Sequence, residues 1–505
     1  MSGTIEIFLL TLSILFFVSL LATKASTRFG VPVLLIFLAV GMLFGGDGLG
    51  LDFESLQLAN GVGTVALSLI LFSGGLNTRL ADVKPTLAPG LTLATLGVLV
   101  ITFVGAIFIW IATNLLIVKV SFTFLEALLL SAIMSSTDSA SVFNILRTKE
   151  LNLKYNLGRL LEVESGSNDP MAYMLTTTFM SLIISTATFS IGKVVFDVIL
   201  SLGVGALAGL AVGYIGIRII NKINLNNEAL YPILIVTMCI FSFSATYFLH
   251  GNGYLAVYIS GLVLGNGKIV NKRSSVNFFE GLSWLSQITL FLTLGLLVRP
   301  HELLGVLLSS IVIGASLIFI ARPISVAVCM APFRQQYNLD SMKFIVWGGL
   351  RGAVPVVFAI LPLVADTPNA RVMFNIVFFI SLISLLLQGT TLASLAVRWG
   401  LIEKTVHGDT LKHFGIELDE GIKSAMSEIL LTETQLVDGN RLVNLDLPDK
   451  TLAVMVKRKG SYFIPKGNTE LASGDRLLVI TDDENALRET YESMGIHKYN
   501  LKKQD

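Results

Sequence analysis

The stretch LEVESGSNDPMAYML, Leu161 to Leu175, decides how this chain is read. Apolar runs long enough to lie inside a membrane flank it. Its centre nevertheless holds Glu162, Glu164 and Asp169, with Ser165, Ser167 and Asn168 between them. A carboxylate at membrane depth is costly and is kept for what it holds. Glu164 and Asn168 are four apart, as are Ser165 and Asp169, so on one helix the two pairs lie on adjacent faces. Together they turn a carboxylate, an amide and a hydroxyl to one side. Gly166 leaves room for a neighbouring backbone, and Pro170 takes a hydrogen bond from the preceding turn. Glu162 is expected to face a different side from Asp169 and to line a cytoplasmic funnel.

The rest of the chain agrees with a membrane setting. Of its 505 residues 53% are hydrophobic and 14% charged, which excludes an ordinary soluble protein. The net charge of +1 gives no basic field for nucleic acid. Cys239 and Cys329 both lie in apolar runs, which argues against a disulfide framework or a C-x-x-C metal site. Apolar segments fall at about 4–23, 31–46, 60–77, 87–113, 123–144, 160–185, 192–218, 229–249, 253–267, 277–298, 302–331, 342–363 and 370–397, about thirteen crossings. The first follows Glu6 rather than a basic residue, so it reads as a transmembrane helix and not as a cleaved leader. Loops on one side carry Lys24 and Arg28, Arg79 and Lys84, Arg147 to Arg159, Arg218 and Lys222, Lys268 to Arg273, Arg334 and Lys343, then Arg398 and Lys404. The intervening loops carry little beyond Lys119, Arg299 and Arg371. The positive-inside rule puts the N-terminus outside and the C-terminus in the cytoplasm.

Composition divides the chain into a membrane domain, 1–400, a linker, 401–420, and a small cytoplasmic α+β domain, 421–505. In the last, LAVMVKRKGSYFIP reads as two strands about a turn and DRLLVITD as another. Residues 483–491 read as a closing helix, and the tail KYNLKKQD as frayed. The fold class expected is an all-α polytopic membrane protein followed by this domain.

Three more polar places stand among the apolar segments. SSTDSASV puts Asp138 among Ser135, Ser136, Thr137 and Ser139, a run that offers the backbone alternative partners and predicts local unwinding. FIVWGGLRGAVPVVFAILP sets Arg351 among Gly348, Gly349 and Gly352, with Pro355 beyond, and reads as a second broken helix. Arg351 there requires a carboxylate, and the candidates are Glu164, Glu162, Asp169 and Asp138. ILFSGGLNTRL places Gly74 and Gly75 at the cytoplasmic end of the third segment. Oxygen ligands on broken helices near the midplane suit a dehydrated Na⁺ or K⁺. One carboxylate for which H⁺ and a cation compete is the simplest exchanger. An intramembrane serine hydrolase is excluded, because no histidine lies at membrane depth to serve Ser165 or Ser167.

ESGSNDP resembles the E-S-x-x-N-D signature of the electroneutral cation/proton antiporters of the NhaP/NHE branch. SSTDSASV resembles that family's crossing-helix segment, and GGLRGAVP its G-x-R-G-A motif. The resemblance implies that Asp169 binds cation and proton in turn. It implies that Asp138, Asn168, Ser165 and the backbone near Thr137 complete or support the cation site, and that Glu164 pairs with Arg351. It also implies two crossing broken helices in a core that moves against a dimerisation domain, elevator fashion, in an inner-membrane homodimer exchanging one cation per proton. One departure is that many members carry a carboxylate in F-E-G-G or F-D-G-G where this chain has Phe72-Ser73-Gly74-Gly75, which leaves K⁺ and Na⁺ both open as substrates.

From about Lys423 the chain resembles an RCK C-terminal (TrkA-C) domain, through its L-x-D-L-P and I-P-x-G-x-T-x-L-x-x-G-D-R-L-L-V spacing. That implies a domain that dimerises or binds a small regulatory ligand, a cyclic dinucleotide or an ion; no other cofactor is implied. Two rival classes fit the sequence less well. A gated channel lacks a T-V-G-Y-G-like filter. A membrane-anchored sensor has no use for intramembrane Asp138, Asp169 and Arg351.

Overall fold

The computed structural model describes residues 4–29, 32–51, 53, 55–115, 120–138, 142, 145–146, 151–185, 191–403, 426–431, 436, 439–445, 447, 451–458 and 461–481. The chain divides into two units, Met1–Glu403 and Lys404–Asp505.

The first unit is helical. Its helices are α1 (Thr4–Phe29), α2 (Val33–Phe44), α3 (Leu56–Asn77), α4 (Leu80–Val83), α5 (Leu87–Thr92), α6 (Val98–Leu115), α7 (Phe124–Ile133) and α8 (Leu157–Ile184). There follow α9 (Ile191–Lys222), α10 (Leu230–Phe248), α11 (Gly253–Asn266), α12 (Lys272–Leu297), α13 (Pro300–Ser316), α14 (Arg322–Met330), α15 (Leu339–Trp347), α16 (Ala353–Val364) and α17 (Ala370–Arg398). Seven helical runs among the described residues are long and apolar enough to cross a membrane, and shorter apolar helices include Gly253–Asn266 and Ala353–Val364. Starts are set by side chains. Thr123 and Glu126 form a reciprocal capping box for α7, and Asn252 and Asn338 cap α11 and α15. Two π turns, Leu93–Gly97 and Leu317–Ala321, interrupt the helical runs 80–115 and 300–330.

The helices sort into two groups by packing. One comprises α1–α3 and α9–α12; the other comprises α5–α8 and α13–α17. In the first, Gly41 of α2 and Gly295 of α12 lie backbone to backbone, where any side chain would collide. The seam between the groups is formed where α8 meets α11 and α9, and where α16 meets α3 and α12.

The second unit holds a four-stranded antiparallel sheet of order β1-β4-β2-β3, from Met426–Leu430, Thr451–Arg458, Ser461–Phe463 and Arg476–Thr481. The two strands read on either side of KRKG pair as expected, Val456 facing Phe463. β1 had no strand expected of it. The closing helix expected at 483–491, the tail KYNLKKQD and the linker from Lys404 lie outside the described residues.

Asp475 anchors the sheet. Its carboxylate takes both Arg458 donors, at 2.8 and 2.6 Å, and the Ala472 amide at 2.8 Å. Burial pushes this carboxyl up, and the Arg458 and Ala472 hydrogen bonds, with the guanidinium charge, outweigh it and hold it below its ordinary value. A depressed carboxyl stabilises fully above its unfolded value, about pH 4, and that contribution is lost as pH falls through the lower folded value. Asp475→Ala should therefore cost about 1–3 kcal/mol at pH 7. Amide exchange of residues 426–431 and 476–481 in the full chain would rise; unchanged protection would rule out the anchor.

Candidate functional site

The site is built where two helices break against α8. After α7 ends at Ile133, residues 134–138 leave the helix, and residues 348–352 do the same between α15 and α16. The breaks are joined directly: the Asp138 amide donates to the Leu350 carbonyl at 2.8 Å. Gly352 is required here, because a methyl group on it would overlap the Asp138 carboxylate. Gly352 also stands at the N-terminal end of α16, where the helix dipole favours an anion. Arg351 lies at the opposite pole. Its guanidinium donates to the Ser136 carbonyl at 3.3 Å, just past the C-terminal end of α7, where a cation is favoured. The Arg351 amide donates to Ser384 of α17 at 2.9 Å, which fixes the break from behind.

Against this crossing α8 runs unbroken from Leu157 to Ile184, straight through Pro170. It carries Ser165, Asn168 and Asp169, all buried. Ser165 donates to the Thr137 carbonyl and the Asn168 amide to the Thr137 hydroxyl, each at 2.6 Å. Ser136 donates to Asp169 at 2.5 Å. The structure thus brings Asp169, Asn168 and Ser165 onto the backbone run Ser136-Thr137-Asp138. The Asn168 side-chain oxygen is buried with no donor among the described residues. That oxygen and the carboxylates of Asp169 and Asp138 are groups that a small dehydrated cation satisfies.

The expected Glu164–Arg351 pair is not what forms. Glu164 pairs with Arg322 of α14, whose guanidinium donates to both carboxylate oxygens at 2.5 and 3.1 Å and to the Ile345 carbonyl at 3.0 Å. Glu164 is 1% exposed and Arg322 2%. Arg322 emerges from the π turn Leu317–Ala321 and lies over Gly349, so it reaches α8, while Arg351 is committed to the end of α7. Sequence reasoning missed Arg322; its signal was a single arginine before Pro323 inside the apolar run 302–331. The reading of Glu162 is also corrected. Seven residues are two helical turns, so Glu162 and Asp169 share one face of α8. Ser73, where a carboxylate occurs in many sequences of the resembled branch, is buried and donates to the Phe279 carbonyl of α12 at 3.3 Å.

A chain of broken, crossing helices around buried oxygen ligands is a secondary transporter in architecture. The sodium/hydrogen exchanger transmembrane family profile matches residues 12–398, and the TrkA-C domain profile matches residues 426–495. The chain is 36% identical to the K(+)/H(+) antiporter NhaP2 of Shewanella sp. (strain ANA-3), over 96% of this chain and 83% of that protein. It is 36% identical to the K(+)/H(+) antiporter NhaP of Alkalimonas amylolytica, over 94% of this chain and 81% of that protein. The solved sodium proton antiporter MjNhaP1 from Methanocaldococcus jannaschii shares the fold, with a TM-score of 0.65 and 20% identity over 77% of this chain and 100% of that one. The chain belongs to the sodium/hydrogen exchanger family and carries a TrkA-C domain. It is a multi-pass membrane transporter of the cation/proton antiporter class, not an enzyme.

Proposed function

We propose that the protein exchanges K⁺, in preference to Na⁺, for H⁺ across the cell's inner membrane, one cation per proton. Asp169 is alternately protonated and cation-bound, with Asp138 and the Asn168 oxygen as further ligands and Ser136, Thr137 and Ser165 holding the frame. The observation that carries this is the buried Asp169 beside the partnerless Asn168 oxygen at the crossing. Selectivity for K⁺ is favoured by the relatives named K(+)/H(+) antiporters. The helix group containing α8 moves against the other, elevator fashion, in a homodimer with the N-terminus outside. The TrkA-C domain is cytoplasmic and dimerises or binds a small regulatory ligand, and the whole serves cation and pH homeostasis.

The test uses purified full-length protein in vesicles holding a pH dye. With a pH gradient imposed, external K⁺ should return the internal pH faster than Na⁺ or Li⁺. Proton movement driven by Na⁺ alone would overturn the K⁺ assignment. Silence with every cation, with or without a cyclic dinucleotide, would overturn exchange itself.

A further inference from the structure

We infer that Glu162 is a second transport carboxylate, which takes the cation from solvent at the N-terminal end of α8 and passes it to Asp169. The inference rests on the exchange reading above and extends it to the path by which the cation arrives.

The geometry is that of one stripe on one helix. Because α8 is continuous, Glu162 and Asp169 stand about 10 Å apart along its axis and roughly 20° apart around it. Gly166 lies between them on the same stripe, and the Tyr258 ring of α11 rests against it so closely that a methyl group would not fit. One turn beyond Asp169, Tyr173 meets Tyr254 of α11 edge to face at 4.9 Å. This stripe therefore faces the seam between the two helix groups, and both carboxylates stand on it.

The two differ in access. Glu162 keeps 17% of its side chain exposed, while Asp169 is 3% exposed. The partners of Glu162 are ones that a cation can replace. Arg159 donates to it at 3.0 Å and to Asp82 at 3.1 Å. Two carboxylates thus share the Arg159 guanidinium. Arg159 is 41% exposed and is held by Asp82 as well as by Glu162. The Thr78 hydroxyl, from the end of α3 across the seam, lies 2.5 Å from Glu162 as a donor whose proton is shared with the Gly74 carbonyl at 2.9 Å. A carboxylate with a neutral hydroxyl against it offers oxygen ligands to a partly dehydrated K⁺ or Na⁺.

The test is the dependence of exchange on K⁺ concentration in vesicles, for wild type, Glu162→Gln, Glu162→Asp, Arg159→Gln and Thr78→Val. Glu162→Gln should raise the half-saturating K⁺ concentration roughly tenfold, the effect of one charge across about 10 Å at an effective dielectric near 20. Its rate at saturation should stay within about twofold of wild type. Arg159→Gln should shift half-saturation the opposite way, and Glu162→Asp should restore most of it. Were Glu162 only a tie between α8 and α3, Glu162→Gln would match Thr78→Val and leave half-saturation unmoved, which overturns the proposal. If Glu162→Gln does not yield folded protein, the sign of the Arg159→Gln shift decides. A silent wild type would sink the exchange reading and this inference together; an active wild type with unmoved half-saturation in the variants sinks this one alone.

Discussion

Asp169→Asn should reduce cation-driven proton movement to the rate of empty vesicles, while the protein is still recovered folded. The amide keeps the shape of the side chain and an oxygen to accept the Ser136 hydroxyl, the hydrogen bond that Asp169 receives among the described residues. It cannot gain and lose a proton, and it brings no charge to a bound cation. Exchange needs both, so the loss is one of mechanism and not of affinity. A buried carboxylate replaced by a neutral isostere should leave the melting temperature no lower than wild type. The experiment compares dye-reported pH recovery and thermal melting in one preparation. Retained exchange would remove Asp169 from the centre of the site; lost exchange with a collapsed melting curve would make its role structural.

Arg322→Ala should be the most destabilising single change in the membrane unit, at about 3–5 kcal/mol. The arginine is buried with Glu164, donates to it through two nitrogens and also satisfies the Ile345 carbonyl. Removing it leaves an anion without its cation in a low-dielectric interior and opens a hole beside Gly349. Arg351→Ala should cost less, because the Ser136 carbonyl that it releases is neutral. Adding Glu164→Gln to Arg322→Ala should recover part of the loss, since the uncompensated charge is then gone. Melting in detergent, ranked across the three variants, checks this. An Arg322→Ala protein that melts with wild type would show that the pair holds nothing together.

The sequence made the helical segments legible because apolar runs in a chain this hydrophobic can be little else, and each expected run contains helix. The crossing was legible for the opposite reason: Asp138, Asp169 and Arg351 are polar where the surroundings are not. What escaped was of three kinds. Arg322 sits in one of the longest apolar runs without flanking glycines, so nothing local marked it, and its partner is fixed by a π turn that no residue pattern announces. Glu162 was expected on another face, although seven residues return a helix to the same face. β1 is short and finds its place only through pairing with β4, whose own alternation is clearer.

Ser73 carries a consequence for what else its place could hold. Its hydroxyl is a donor aimed at the Phe279 carbonyl, an acceptor that offers nothing back. A glutamate placed there would arrive either ionised, facing a carbonyl oxygen, or protonated, to donate to it. In the second case the transporter would gain another titrating group beside its path and the proton count per cycle would be open to change. The serine, as a donor, is matched to the acceptor it faces.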